Sequence, residues 1–200
     1  MLRIDQKIIV SLVDDNDKII DIGCDNGELL NHICAEKNVT TRGIEISMAG
    51  VNECVRNGHS VVHGDANTDL IHYPTKSFDK VILSKTLQAM NEPHETLKQI
   101  TRMGKKAIVG FSNFGHYKVI SDLVFNSRMP VTKSLPISWY ETPNIHFCTI
   151  KDFINLCEEL GLKIEKTIIL KPNGSEIKSN PKGYYANLFG SDAIFVISDK

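Results

Sequence analysis

The sequence lacks any pair of cysteines at redox or metal-ligand spacing. Its five cysteines, Cys24, Cys34, Cys54, Cys148 and Cys157, form no C-x-x-C motif and stand among apolar neighbours on predicted strands and helices. An odd number of scattered thiols does not suit a disulfide framework, and all five read as reduced core thiols of a cytoplasmic protein. The seven histidines are equally dispersed, so no metal site is expected. No apolar run approaches the ~20 residues of a membrane span. The opening MLRIDQKIIVSLV carries Arg3, Asp5 and Lys7, which does not suit a signal peptide. Basic excess is missing too: the net charge is −1, and GKK at 104–106, the densest basic group, reads as a solvated loop before a strand. Nucleic acid and membrane are therefore not expected as partners. What remains is a globular chain of 200 residues, 42% hydrophobic and 24% charged, of a length for one domain over 1–200.

What the sequence does have is alternation. A short helix opens the chain with Ile4, Ile8, Ile9 and Leu12 on one stripe. A buried strand is expected over 18–22. A helix over 28–37 should turn Leu29, Leu30, Ile33 and Cys34 toward a sheet. Strand 41–46, helix 48–57 ended by Asn57-Gly58, and strand 60–63 follow. Strand 77–84, a helix over 86–103 with Pro93 early in it, and strand 105–112 complete the series. Helix 149–161 is strongly patterned by Ile150, Phe153, Ile154, Leu156, Cys157 and Leu160. Strands 162–170 and 192–198 are joined by a Pro-, Gly-, Asn- and Ser-rich stretch without room for a crossover helix, so they should pair antiparallel. The order implies an α/β fold: a doubly wound, mostly parallel seven-stranded sheet with a C-terminal antiparallel strand pair.

The stretch KIIDIGCDNGELL runs from a strand through a glycine turn into a helix. Backbone N–H groups in such a turn face the carboxyl edge of the sheet, where a helix N-terminus favours a carboxylate or phosphate. Glycine is needed there for a positive φ or for close approach of a ligand. Glu45, at the end of the second strand, is placed to accept hydrogen bonds from ribose hydroxyls. Asp65, in HGDA after the third, is placed to meet an adenine amino group. Three such features at the ends of three successive strands point to a nucleotide. Dinucleotide sites carry G-x-G-x-x-G, and the third glycine is missing here, where Glu28, Leu29 and Leu30 follow Gly27.

The D-x-G-C-x-x-G loop together with the late antiparallel pair resembles class I S-adenosylmethionine-dependent methyltransferases. The resemblance implies a cofactor site of Asp21, Gly23, Cys24, Gly27, Glu45, Ile46, Asp65, Ala66 and Ser84. In it the first-strand acid and the glycine turn hold the amino-acid half of S-adenosylmethionine or S-adenosylhomocysteine. Asp25 departs from the glycine usual in that family. Aspartate tolerates a left-handed backbone, so the turn can form. Its carboxylate either weakens binding by bulk and charge or points to solvent and changes nothing.

No Asn/Asp-Pro-Pro-aromatic turn follows the fourth strand, where the chain reads LSKTLQAM. Methyl transfer can run on positioning alone. The segment 128–150 is rich in proline and aromatics and should form a lid or a partner surface over the carboxyl edge. His116, His146 and Tyr140 are the candidate catalytic side chains; a packed, hydrogen-bonded role competes for each histidine.

LSKTLQA, SNFGHY and above all RMPVTKSLPISWYETPNIHFCTIKDF are similar to MetW-type methionine-biosynthesis proteins, with the likeness running from Leu2 to about Leu170. That family typically reads G-C-G-D-G where this chain has Gly23-Cys24-Asp25-Asn26-Gly27. The resemblance implies a methyltransferase-like fold in bacteria and association with a homoserine O-acyltransferase of the α/β-hydrolase type. Three functions follow from the whole reading. The chain is an S-adenosylmethionine-binding subunit that supports the acyltransferase, a methyltransferase for a small uncharged or mildly acidic acceptor, or a protein-binding module with a lost ligand.

Overall fold

The computed structural model describes residues 3–200; Leu2, where the family likeness begins, lies outside them together with Met1. Among the described residues seven strands form one sheet: in chain order β1 Lys18–Ile22, β2 Thr40–Glu45, β3 Val61–His63, β4 Phe78–Ser84, β5 Gly104–Ser112, β6 Lys163–Leu170 and β7 Asp192–Ser198. Their order across the sheet is β3-β2-β1-β4-β5-β7-β6. The first five run parallel. β7 inserts between β5 and β6 and is antiparallel to both, as the helix-poor connection before it requires. The architecture is the expected α/β one.

Alternate residues of each central strand go to opposite faces, and both faces are apolar. Ile20, Ile22, Val81, Leu83, Val109 and Phe111 join one core cluster, and Ile19, Ile82 and Ile108 the other. A sheet with two apolar faces must be covered twice. Helices α1 Ile4–Ser11, α2 Glu28–Glu36 and α3 Met48–Arg56 supply Ile9, Val10, Leu29, Leu30, Ile33 and Cys54 to one layer. A short α4, Ala66–Asp69, follows β3. The other layer takes Leu97, Ile100 and Met103 from α5, Pro93–Met103, and Ile150, Phe153, Ile154 and Cys157 from α7, Ile150–Glu159. Between them lies α6, Tyr117–Asn126, and α8, Tyr184–Phe189, precedes β7.

Several expectations need correction. The helix expected over 86–103 is broken into a 3-10 turn, Leu87–Ala89, and α5, which begins at Pro93. Proline has no amide for a helix interior and disfavours helical backbone in the residue before it, so Glu92 stays outside, at φ −128° and ψ 80°. The stripe of α1 is rotated: Asp5, Gln6, Ile9 and Val10 are buried, while Ile4 is exposed. Cys34 is exposed on α2 rather than facing the sheet, and Cys148 is only half-buried, so not all five thiols are core. Helix α6 was not expected. His116 Nδ1 accepts the Lys118 amide at its start, and Ser127 ends it in the left-handed conformation, φ +50°.

Among the described residues, no helix is long and apolar enough to cross a membrane, and no cluster of three or more His, Cys, Asp or Glu side chains could hold a metal.

Candidate functional site

The parallel strands reverse their order of addition between β1 and β4, and a crevice at such a switch point is where α/β sheets place ligands. Asp21 and Ile22 end β1. The chain then turns through three left-handed residues, Gly23 at φ +73°, Asp25 at φ +48° and Gly27 at φ +78°, before α2 starts at Glu28. The aspartate does adopt the left-handed backbone. A Cβ on Gly23 would lie 2.8 Å from Thr86 Cγ2 and 2.9 Å from Thr86 Oγ1, so only glycine fits opposite the turn after β4.

The acids converge at one rim because adjacent parallel strands end together. Asp21 pairs with Gly43 on β2 and Ile82 on β4, and Glu45 pairs with His63 on β3. Asp21 shares its strand face with Ile19, beneath the helices, and is only 3% exposed. Its Oδ1 is buried with no hydrogen-bond partner. Burial, and then the nearby Glu45 charge, push its carboxyl up to about 7. The Ser84 hydroxyl, at the end of β4, is likewise buried and unpaired. An unsatisfied buried carboxylate oxygen is costly, and a cationic donor placed on it removes that cost.

Glu45 is used differently. Its Oε2 accepts the Asp25 amide at 2.9 Å and its Oε1 the Ser47 amide at 2.7 Å, so it ties the glycine loop to the start of α3. A carboxylate has about four acceptor positions, which leaves room for hydroxyl donors. Ile46, just beyond, is 64% exposed at the rim, as an apolar platform would be. Asp65 caps α4: its Oδ1 accepts the Asn67 amide at 2.9 Å, and Ala66 opens that helix half-buried.

Cys24 does not reach the rim with its side chain. Its Sγ points inward, 3.8 Å from Cys54 Sγ, and fills the space that a side chain on Gly43 would need. Only its backbone can face a ligand.

The three candidate catalytic side chains are not brought together. His116 is buried, with Nδ1 on the Lys118 amide and Nε2 unpaired beside a cavity of about 30 Å³, room for roughly one water. Burial, then the Lys118 charge, hold its ring below the usual range, which favours the neutral form. His146 Nε2 meets the Asn91 carbonyl at 3.2 Å, and Tyr140 is exposed against Trp139.

The sequence reading missed Thr86 and the pair behind it. Lys85 sits at φ +60°, and its Nζ donates to Asp192 Oδ1 at 2.7 Å and to Ser112 Oγ at 3.1 Å. Burial alone would raise the Asp192 carboxyl, but the Lys85 charge and hydrogen bonds from Lys85, Ser191 and Ser134 hold it below the usual carboxylate range. Ser134 belongs to the 128–150 segment, which is thereby tied to the carboxyl edge. The Ile145 and His146 amides bind the Gln88 carbonyl and tie it a second time. No local pattern marks Asp192 and Lys85, 107 residues apart, as partners.

The polar chemistry of this rim fits the ligand that the sequence resemblance implies. An ammonium suits the orphaned Asp21, and hydroxyls suit Glu45, with the exposed Ile46 as an apolar neighbour beside it. Thr86 narrows the approach to Gly23.

Comparison with known proteins gives three findings. The family profile for "Methionine biosynthesis protein MetW" matches residues 3–197. A bifunctional methionine biosynthesis protein MetXA/MetW from Rhodopirellula baltica is 30% identical over 176 residues, 84% of this chain. The match covers only 28% of that protein's length. Among solved structures, an S-adenosylmethionine dependent methyltransferase from Mesorhizobium loti aligns with a TM-score of 0.71 at 13% identity, over 98% of this chain and 97% of the other. A TehB-like SAM-dependent methyltransferase from Corynebacterium glutamicum aligns with a TM-score of 0.60 at 16% identity, over 100% and 89%. At such identities the likeness is one of fold, that of class I Rossmann-like methyltransferases.

Proposed function

The chain belongs to the family of the methionine biosynthesis protein MetW, and from that premise we propose that it is an S-adenosylmethionine-binding subunit that supports a homoserine O-acyltransferase. The observation that carries the ligand is Asp21: a buried carboxylate with an unpaired oxygen, beside a glycine turn at a sheet switch point. When bound, the cofactor would supply a sulfonium-activated methyl group. The residues that would hold it are Asp21, Gly23, Cys24 through its backbone, Gly27 and Ser84 for the amino-acid half. Glu45 and Ile46 would serve the ribose side, and Asp65 and Ala66 the adenine. The partner reading is supported by the Rhodopirellula relative, whose name joins MetXA and MetW in one chain. We take its MetXA part as the acyltransferase, and residues 1–200 as one methyltransferase-like unit beside it.

Two measurements test this. Calorimetric titration should show S-adenosylmethionine binding to the wild type, weakened about 10- to 100-fold in Asp21→Asn through loss of a charge-assisted hydrogen bond. No heat with the wild type removes the ligand. Adding the chain to the purified acyltransferase should raise its rate, and an indifferent rate removes the partnership.

One feature favours a second reading, a methyltransferase for a small acceptor. A cavity of about 320 Å³ lies beside the end of β4, where Arg3, Lys85, Lys133 and Lys171 face Asp5 and Asp192. Four cations against two carboxylates suit a small acidic molecule. Release of S-adenosylhomocysteine on incubation with low-molecular-mass cell extract would establish this reading, and none above background would end it.

A further inference from the structure

Helix α6 has the pattern of a core helix and the exposure of a surface one. Tyr117, Ile120 and Val124 recur at i, i+3 and i+7 with Leu123 beside them, the spacing of one apolar stripe. In α7 such a stripe is buried: Ile150, Phe153, Ile154 and Cys157 all lie in the core. In α6 only Val119 is buried. Val124 is 64% exposed and Phe125 83%. On the flank of the helix, Phe125 borders an open hollow of about 610 Å³ with Met129 and Val131. At its start, Tyr117 packs at a tilt against Phe189 of α8 with ring centroids 5.9 Å apart, and Tyr185 follows at 4.7 Å from Phe189. Exposed apolar side chains gathered on two helices and the following strap are the kind of surface that marks a contact with another protein.

We infer that the α6 face, continued by Met129 and Val131, is the docking surface for the homoserine O-acyltransferase, through an apolar patch on that enzyme. This rests on the partnership in the proposed function and adds where the contact lies. The Rhodopirellula relative points to the occupant: its name joins MetXA and MetW in one chain, and the match to this chain covers 28% of its length. A tether of that kind holds two units at high effective concentration and selects for a contact between them. The strap that follows α6, including Met129 and Val131, falls in the stretch by which the sequence most resembles the family. The charges beside the stripe are mixed, Lys118, Asp122 and Arg128, so apolar burial rather than charge must supply the affinity. Exposed aromatic and branched side chains on a helix are the usual anchors for a partner's hydrophobic groove.

The test uses the full chain and the acyltransferase from the same genome, mixed and followed by analytical size exclusion and by acyltransferase rate. Val124→Asp and Phe125→Asp are compared with Val62→Asp, which alters a 48% exposed valine on β3 at the far edge of the sheet. Circular dichroism and unchanged Tm establish that each variant folds. The expected result is a wild-type complex that both α6 variants weaken at least tenfold and that Val62→Asp leaves intact. A wild type that never binds the enzyme overturns the proposed partnership and this surface with it. A wild type that binds while both α6 variants bind equally well overturns the surface alone. A free chain that is dimeric, and that the α6 variants render monomeric without loss of the complex, assigns the face to a second copy and also overturns it.

Discussion

The Asp25 amide donates to Glu45 Oε2 at 2.9 Å, so the acid at the tip of β2 clamps the glycine loop at the residue where it departs from glycine. Backbone, not side chain, makes this bond. The loop keeps its shape because any residue that accepts φ +48° presents the same N–H, and aspartate accepts it better than most.

Replacing Asp25 by glycine should therefore keep the loop and remove only the carboxylate. The side chain is exposed at the mouth of the site. S-adenosylmethionine should bind Asp25→Gly several-fold more tightly by calorimetry, with stability within about 1 kcal/mol of wild type. Equal affinity would mean that the carboxylate stands clear of the ligand.

Asp21 sets a pH dependence of unusual sign. Its carboxyl holds a proton up to about pH 7 in the folded chain, against an ordinary value of 3.8. Between those values the folded state binds more protons than the unfolded one, so its contribution to stability falls as pH rises from about 4 to 7 and is flat above. Asp21→Asn removes the effect. Melting curves should show the variant gaining on the wild type across that window, by an amount on the order of a few kcal/mol at pH 8. A constant difference at all pH values would place the titration elsewhere.

Gly23→Ala should cost about 1–3 kcal/mol in urea unfolding, since the added Cβ meets Thr86 Cγ2 at 2.8 Å and φ is +73°. Pairing it with Thr86→Ala should restore part of the loss. The steric part disappears with Cγ2, while roughly 1 kcal/mol of left-handed strain stays. Strict additivity of the two substitutions would show that they do not touch in solution.

Asp192→Ala should loosen the strap after α6 without touching the glycine loop. The carboxylate accepts from Lys85 at 2.7 Å and from Ser134 Oγ at 2.9 Å, and its loss leaves a part-buried ammonium on the Ser112 hydroxyl without its counter-charge. The expected cost is about 2–4 kcal/mol, with faster proteolytic cutting within 128–147. Unchanged cutting would mean that the contacts of Gln88 with Ile145 and His146 hold the strap by themselves.

Much of this architecture is local and was readable. Alternating apolar strands, the glycine turn, the acids at successive strand ends and the helix-poor stretch before β7 are short-range patterns. Adjacent parallel strands then end together, so Asp21 and Glu45 come near one another at one rim, while Ser84 ends β4 and Asp65 follows β3. Pro93 was a local signal too, and weighing it fully would have started α5 in the right place.

Other features have no local signature. Spacing alone does not distinguish α6 from α7, because an apolar stripe records what a helix can bury and not what stands opposite it. Packing decided that the stripe of α7 meets Phe111 and Phe195 while that of α6 meets water. The same holds for Thr86 over Gly23 and for Lys85 on Asp192, contacts between residues far apart in the chain. Sequence determined the order of elements and the identity of the acids, since hydrogen bonding and side-chain period act over a few residues. Which groups are left unpaired, the Asp21 oxygen and the apolar face of α6, was decided only when the whole chain closed, because satisfaction is a property of neighbours.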